Sequence, residues 1–169
     1  MKTVVPWIEG PWRGRLAILP RPRGGDWLED EVRAWRLAGV DVIVSLLTNE
    51  EVDDLDLAQE GRLCHAKGIE FLSFPIVDRG VPSQRATLDF LKKLELLVAG
   101  GTSIAIHCRQ GIGRSALIVA CLLVLGGINP EIAFRRVSAV RGCSVPETPD
   151  QRQWVIEFAR ELAPVSASE

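Results

Sequence analysis

Apolar positions along this chain follow two rhythms: short continuous runs, and longer stretches in which they recur every three or four residues. The short runs predict strands at Arg15 to Leu19, Val40 to Leu46 and Ile69 to Phe74, with another, β-branched and buried, at Thr102 to Ile106. Val40 to Leu46 is continuous apart from Asp41, as expected of a central strand covered on both faces. The spaced stretches predict helices. Leu28, Val32 and Trp35 share one face of a helix from Trp27 to Leu37, with Asp26 as its cap and Gly39 as its end. Thr48-Asn49-Glu50-Glu51 is a capping box opening the next helix, which Gly61 is expected to break before a second short helix ends at Gly68. Ser83 is the expected cap of a long helix through Val98, whose Leu88, Leu91, Leu94, Leu97 and Val98 form a core stripe. Ser115 to Leu125 is apolar nearly all round, too short to span a bilayer and suited to a buried helix. Asn129-Pro130 and Pro149 start two last helices, towards Val140 and Leu162.

Strands alternating with helices predict an α/β fold: a single domain over residues 1–169, with a central twisted, mostly parallel sheet of about four to five strands flanked by helices. Residues 1–25 form its N-terminal strand and loop segment, and 164–169 read as a frayed tail. Lys and Arg number 20 against 22 Asp and Glu, with no basic run, so no nucleic-acid partner is expected. The N-terminus has no uninterrupted apolar core for a secretion signal, and no stretch reads as a membrane span. Cys64, Cys108, Cys121 and Cys143 show neither metal-ligand spacing nor a Cys-x-x-Cys, so no metal, no cofactor and no disulfide framework is expected, and a reducing cytoplasm suits them. Cys64, Cys121 and Cys143 are read as buried and inert; the alternative for any of them is a resolving thiol for an oxidised Cys108. Trp27, Trp35 and Trp154 are expected in the core, while Trp7 and Trp12, in a proline-glycine context, are candidates for a pocket rim.

The densest chemistry lies in His107-Cys108-Arg109-Gln110-Gly111-Ile112-Gly113-Arg114-Ser115, between the last predicted strand and the apolar helix. Strand, glycine loop, helix is an order in which the backbone N–H groups of Arg109 to Arg114 can converge on one anion at the helix N-terminus. Gly111 and Gly113 supply the backbone freedom for such a curl. A thiol in that field loses its proton more easily, which predicts a nucleophilic Cys108 thiolate. Arg114 returns to the same side, where its planar fork can hold two phosphoryl oxygens. A cysteine that was merely packed would give no reason for two glycines and an arginine at these offsets. His107 either orients the loop or is an ordinary strand-end histidine. Ser115 either donates to the sulfur or caps the helix, and both roles are compatible.

His-Cys-x5-Arg-Ser is the signature of the cysteine-dependent protein tyrosine and dual-specificity phosphatases, which this chain resembles. From Ile104 to about Leu162, with Ala120-Cys121-Leu122-Leu123, Arg141-Gly142, Thr148 and Gln151, it is similar to the kinase-associated phosphatases of the cyclin-dependent kinase branch. Leu47-Thr48-Asn49-Glu50-Glu51 resembles a further segment of that branch. The resemblance implies a protein tyrosine phosphatase-like fold. Expulsion of the leaving oxygen needs a proton donor, and Asp78 is the candidate. Asp78, Gly80, Val81 and Pro82 resemble the family's mobile acid loop, although its preceding Trp-Pro is here Ile76-Val77; otherwise Asp78 only begins a turn before Gly80. Gln151 matches the glutamine-bearing loop that positions water in the family, but Thr148-Pro149-Asp150-Gln151 also reads as a capping box that needs the same amide.

These readings predict a metal-free, monomeric phosphoprotein phosphatase acting on phosphotyrosine, and on phosphoserine or phosphothreonine as a further class, through a phosphocysteine. Tyrosine-specific members of the family it resembles deepen their pocket with a loop whose tyrosine stacks on the substrate ring; this chain has no tyrosine, so the resemblance implies a tolerant pocket of the dual-specificity type. One alternative is a phosphoinositide or other small phosphate-monoester phosphatase, although lipid-type loops carry lysines where this loop has Arg109, Gln110 and Ile112. An alternative of another class is a phosphopeptide-binding scaffold without turnover.

Overall fold

The computed structural model describes residues 4–163. Five strands form one sheet: β1 (Trp7–Ile8), β2 (Leu16–Leu19), β3 (Val42–Ser45), β4 (Glu70–Ser73) and β5 (Ile104–His107). Their order across the sheet is β1-β2-β5-β3-β4. β2, β5, β3 and β4 run parallel, and only β1 pairs antiparallel, at the edge. Every residue of β2, β3 and β5 is buried, as strands covered on both faces must be. Alternate residues divide between two apolar layers: Ile18, Val42, Val44, Ile104 and Ile106 face one, and Ala17, Leu19, Ile43 and Ala105 the other.

The helices are α1 (Leu28–Leu37), α2 (Asn49–Asp54), α3 (Glu60–Ala66), α4 (Gln84–Ala99), α5 (Arg114–Leu125), α6 (Pro130–Arg141) and α7 (Pro149–Leu162). α1 and α3 cover one face, and α4 to α7 the other, around α5. Residues Arg114 to Leu123 of α5 are all buried, so the apolar run is the central helix of its layer. Parallel strands bring the loops after β5, β3 and β4 to one edge of the sheet, where α/β proteins place their ligands.

Several local expectations are corrected. Asp26 does not cap α1; it lies in a short 3-10 turn over Gly25–Trp27 that precedes the helix, and no side chain caps that start. Trp27 is 57% exposed and not core, with the Arg23 guanidinium 4.5 Å above its ring. Gly61 does not break a helix. α2 stops at Asp54, the chain turns through a left-handed Asp56, and Gly61 sits inside α3 against Phe71. Ser83 precedes α4 in extended backbone but its side chain makes no cap. Trp35 and Trp154 are buried as expected. Trp7 packs beneath Arg15, and Trp12 against Gly126; neither reaches the pocket that Cys108 lines. The two-residue β1 escaped notice because Pro6 and Gly10 leave too short a run to show a period. The tail expected over 164–169 lies outside the described residues.

Candidate active site

β5 ends at His107, and the loop from Cys108 to Gly113 curls into the first turn of α5. Cys108 is buried; its Sγ accepts the Gly111 N–H at 3.3 Å and lies 3.0 Å from Ser115 Oγ. Gly113 occupies the cap position of α5 without any side-chain bond, so the Ser115 hydroxyl goes to the sulfur and does not cap the helix. Gly111 has φ +74°, and a Cβ there would lie 2.7 Å from the Leu19 carbonyl oxygen. Only glycine satisfies both constraints.

The loop is held from outside. The Arg141 guanidinium donates to the carbonyls of Gly111 (3.0 Å) and Gln110 (2.9 Å), and the Arg21 N–H to that of Arg109 (3.1 Å). With those three carbonyls occupied from outside, the loop N–H groups, apart from that of Gly111 on the Cys108 sulfur, are left for an anion at the helix N-terminus. A cavity of about 200 Å³ opens there, with Asp78, Arg79, Cys108, Arg109, Arg114 and Glu147 in its wall.

Arg114 is 1% exposed, and both of its Nη groups are held. Nη1 donates to Glu51 Oε1 (2.6 Å) and the Ile76 carbonyl (2.8 Å), and Nη2 to Glu51 Oε2 (2.9 Å) and Asp78 Oδ1 (3.1 Å). Burial opposes the charge of Arg114, but the Glu51 hydrogen bonds and the nearby Cys108, Glu51 and Asp78 outweigh it and raise its pKa further. Burial likewise pushes the Glu51 carboxyl up, and the bonds from Arg114 and Thr48 more than reverse this, holding it below its ordinary 4.5. Glu51 therefore has two jobs. It completes the capping box with Thr48 at the start of α2, and it fixes the guanidinium plane.

His107 is fully buried, its ring stacked on Trp35 at 6.2 Å. Nε2 lies 2.6 Å from Oε1 of the equally buried Glu60, and Nδ1 lies 3.2 Å from the Cys108 carbonyl. A carbonyl only accepts, so Nδ1 is the protonated nitrogen of that contact. His107 is thus tied to both the Cys108 backbone and α3.

The segment Asp78 to Pro82 folds over the pocket. A turn closed by the Gly80 N–H and the Val77 carbonyl (2.8 Å) carries Arg79 at φ 59° and presents Asp78 to Arg114. The N-terminal part of α7 holds this segment. Gln151 Nε2 donates to the Gly80 carbonyl (3.3 Å), and the Trp154 indole N–H to that of Pro82 (3.0 Å). Arg79 Nη1 pairs with Glu147 Oε1 at 2.8 Å. Gln151 Oε1 meanwhile accepts the Thr148 N–H at 3.1 Å, so its buried amide completes the capping box of α7 and is engaged at both ends.

The structure brings Cys108, Arg114, Asp78, Ser115 and His107 to one place, with Gln151 behind the Asp78 segment. Glu51, Glu60, Arg141, Arg79 and Glu147 were not anticipated as parts of it. Two of them, Glu51 and Glu60, carried a signal. Glu51 follows a strand end that α/β topology delivers to the site, and Glu60 lies on the same helical face as the buried Cys64, where a carboxylate needs a partner. All four cysteines are free. Burial, aided by Glu60, pushes the Cys64 thiol up to about 12, and burial raises Cys121 well above its ordinary value. Cys143 is exposed, contrary to the buried state expected of it. Among the described residues no cluster of three or more His, Cys, Asp or Glu could hold a metal, and no helix is long and apolar enough to cross a membrane.

A cysteine at a strand end, a glycine loop curled ahead of a helix, and a buried arginine returning to the same pocket define the class of cysteine-dependent phosphatases. The chain belongs to the family described as "Polymorphic toxin system, DSP-PTPase phosphatase", whose profile matches residues 19–128, a stretch that includes Asp78 and the whole loop from His107 to Ser115. Cyclin-dependent kinase inhibitor 3 of Sus scrofa is 26% identical over 138 residues, covering 80% of this chain and 65% of the relative. Protein tyrosine phosphatase domain-containing protein 1 of Danio rerio is 36% identical over 99 residues, 58% of this chain and 14% of that one. The chain thus spans just under two thirds of the length of the first relative and a small part of the second. Among solved structures, a kinase associated phosphatase superposes with a TM-score of 0.88 at 22% identity, covering 97% of this chain and 98% of its own, a likeness of fold.

Proposed function

We propose that this domain hydrolyses phosphate monoesters on proteins, phosphotyrosine foremost with phosphoserine and phosphothreonine as further substrates, through a phosphocysteine at Cys108. The observation that carries the reading is that one cavity of about 200 Å³ is lined by the Cys108 thiol, the Arg114 guanidinium and the Asp78 carboxylate. The Cys108 sulfur attacks phosphorus, the bond to the ester oxygen breaks, and Asp78 gives that oxygen its proton. Arg114 and the loop N–H groups from Arg109 to Arg114 hold the phosphoryl oxygens. Glu51 and Ile76 occupy one face of the Arg114 fork, so the phosphoryl group takes Nε and the Nη2 hydrogen now on the half-exposed Asp78. Water then attacks phosphorus, its proton passes to Asp78, and the sulfur departs eased by the Ser115 hydroxyl at 3.0 Å. His107 keeps the loop in register. Gln151 takes part in the water step only after its amide leaves Gly80.

A phosphoprotein substrate is favoured over a lipid by the lysine-free loop and by the likeness to the two relatives, and the domain is proposed to act as a cytoplasmic monomer. The test is hydrolysis of aryl phosphates of graded leaving-group acidity by wild type and Asp78→Ala, beside phosphotyrosyl and phosphoseryl peptides and a phosphoinositide. Asp78→Ala is expected to lose roughly 10² to 10⁴ in kcat on poor leaving groups and far less on good ones. An equal loss across the series refutes the acid role, and a phosphoinositide turned over faster than every peptide refutes the substrate class.

A further inference from the structure

A second opening lies beside the catalytic pocket. It is a groove of about 480 Å³ between the first turn of α2, with Asn49, Glu50 and Glu51, and the side chain of Val77. Asp78 and Arg109 stand in the walls of both cavities, so a chain that places a phosphoryl group on the Cys108 loop lays a neighbouring residue in the groove. Two surfaces of the groove are unused. Val77 is 72% exposed, an apolar side chain left to solvent. Glu50 is exposed and enters no ion pair among the described residues, whereas Glu51 beside it is spent on Arg114.

Charge decides what fits there. The guanidinium groups of Arg79, Arg109 and Arg114 are matched by the carboxylates of Glu147, Glu51 and Glu50 around the two cavities. A phosphoryl dianion facing the Cys108 thiolate therefore adds negative charge for which these side chains leave no net compensation. Farther along α2 the balance is more negative still: Asp53 and Asp54 are exposed, and residues 37–61 hold no lysine or arginine. A cation carried by the substrate itself relieves this repulsion, and a carboxylate in the same place adds to it.

We propose that this groove is a substrate subsite for a lysine or arginine side chain flanking the phosphorylated residue, an inference that rests on the phosphoprotein reading above. The methylene stem lies along Val77, and the charged head reaches the Glu50 carboxylate. Only a long basic side chain uses both surfaces. A short apolar residue covers Val77 and leaves Glu50 unpaired, and an acidic one meets Glu50 with like charge. Glu50 and Val77 thus set which phosphorylated sequence is accepted and take no part in the chemistry at phosphorus.

The test is kcat/KM for matched phosphotyrosyl peptides carrying arginine, alanine or glutamate on either flank, for wild type, Glu50→Gln, Glu50→Lys and Val77→Ser. Each value is divided by that of the same protein for an aryl phosphate, which has no flanking residue, so that any change in the chemistry itself cancels. One exposed ion pair and one covered methylene correspond to a wild-type preference for arginine over alanine of roughly 5- to 20-fold on one flank. The preference should shrink as salt is raised. Glu50→Gln should lower it, Val77→Ser should cut it by about fourfold or less, and Glu50→Lys should make the glutamate peptide the best of the three. Equal turnover of the three peptides by wild type, or a preference for alanine or glutamate, overturns the subsite. So does an arginine preference that survives Glu50→Lys. Hydrolysis of the aryl phosphate without turnover of any peptide is a separate failure, which overturns the phosphoprotein reading and the subsite with it.

Discussion

Glu51→Gln is the substitution for which the structure gives the most to work with. It removes the charge facing Arg114 and keeps one acceptor oxygen, leaving a buried guanidinium with only the Ile76 carbonyl and the half-exposed Asp78 as firm partners. Breaking one side of a buried ion pair costs about 3–5 kcal/mol, and Asp78 at 3.1 Å keeps the cost near ~3 kcal/mol. At this chain length each kcal/mol moves Tm by about 2–4 °C, so a fall of roughly 6–12 °C at neutral pH is expected in thermal denaturation. The pH dependence follows from the sign of the Glu51 shift. Its native carboxyl titrates below the ordinary 4.5, so it binds protons less readily when folded, and its stabilisation is complete above that value. It is lost as pH falls through the lowered native value. The Tm gap between wild type and Glu51→Gln should therefore be widest at neutral pH and close in acid, since every other carboxylate is common to both proteins. A freed Arg114 also misplaces the phosphoryl group, and kcat/KM should fall by about 10²-fold. A gap under about 2 °C at pH 7, or one that stays constant into acid, would refute the reasoning.

Glu60→Ala strands the His107 Nε2 in the core and should cost about 1–3 kcal/mol, read by chemical denaturation; a neutral result would mean that the 2.6 Å contact contributes nothing. Gly111→Ala forces a Cβ against the Leu19 carbonyl at positive φ, and should abolish vanadate binding at a stability cost of about 1–3 kcal/mol; tight vanadate binding by this variant would show that the loop tolerates another curl. Brief iodoacetamide treatment of the native protein should label the exposed Cys143 and the pocket thiol Cys108, and peptide mapping should find Cys64, whose pKa is pushed up to about 12, and the buried Cys121 modified only after unfolding.

What could be read from the sequence was what is local or contiguous. The loop from His107 to Ser115 is one uninterrupted segment, so the pattern of cysteine, glycines and arginine was visible before any fold was known. The buried strands and the apolar α5 declared themselves by composition and length. The supports of the site did not, because they are pairings at long range. Glu51 meets Arg114 across 63 positions and Glu60 meets His107 across 47, and nothing in the local pattern around a helix-start glutamate says which strand end it will face. The capping role of Glu51, which it does play, is a sufficient local explanation that hides the second one. Gln151 shows the reverse: the capping reading and the family reading competed for one amide, and the folded chain spends that amide on Thr148 and Gly80. Trp27 misled because a tryptophan reads as core when its one neighbour of consequence, Arg23, lies in a loop and stacks over it at the surface.

The central claim is that Cys108 carries the phosphoryl group. Acid quenching of wild type during turnover of an aryl phosphate, followed by mass spectrometry of the peptide that contains Cys108, tests it most directly. Phosphate on Cys108, absent from Cys108→Ser together with all turnover, is the predicted result. Turnover by Cys108→Ser, or phosphate found on any other residue, would contradict it.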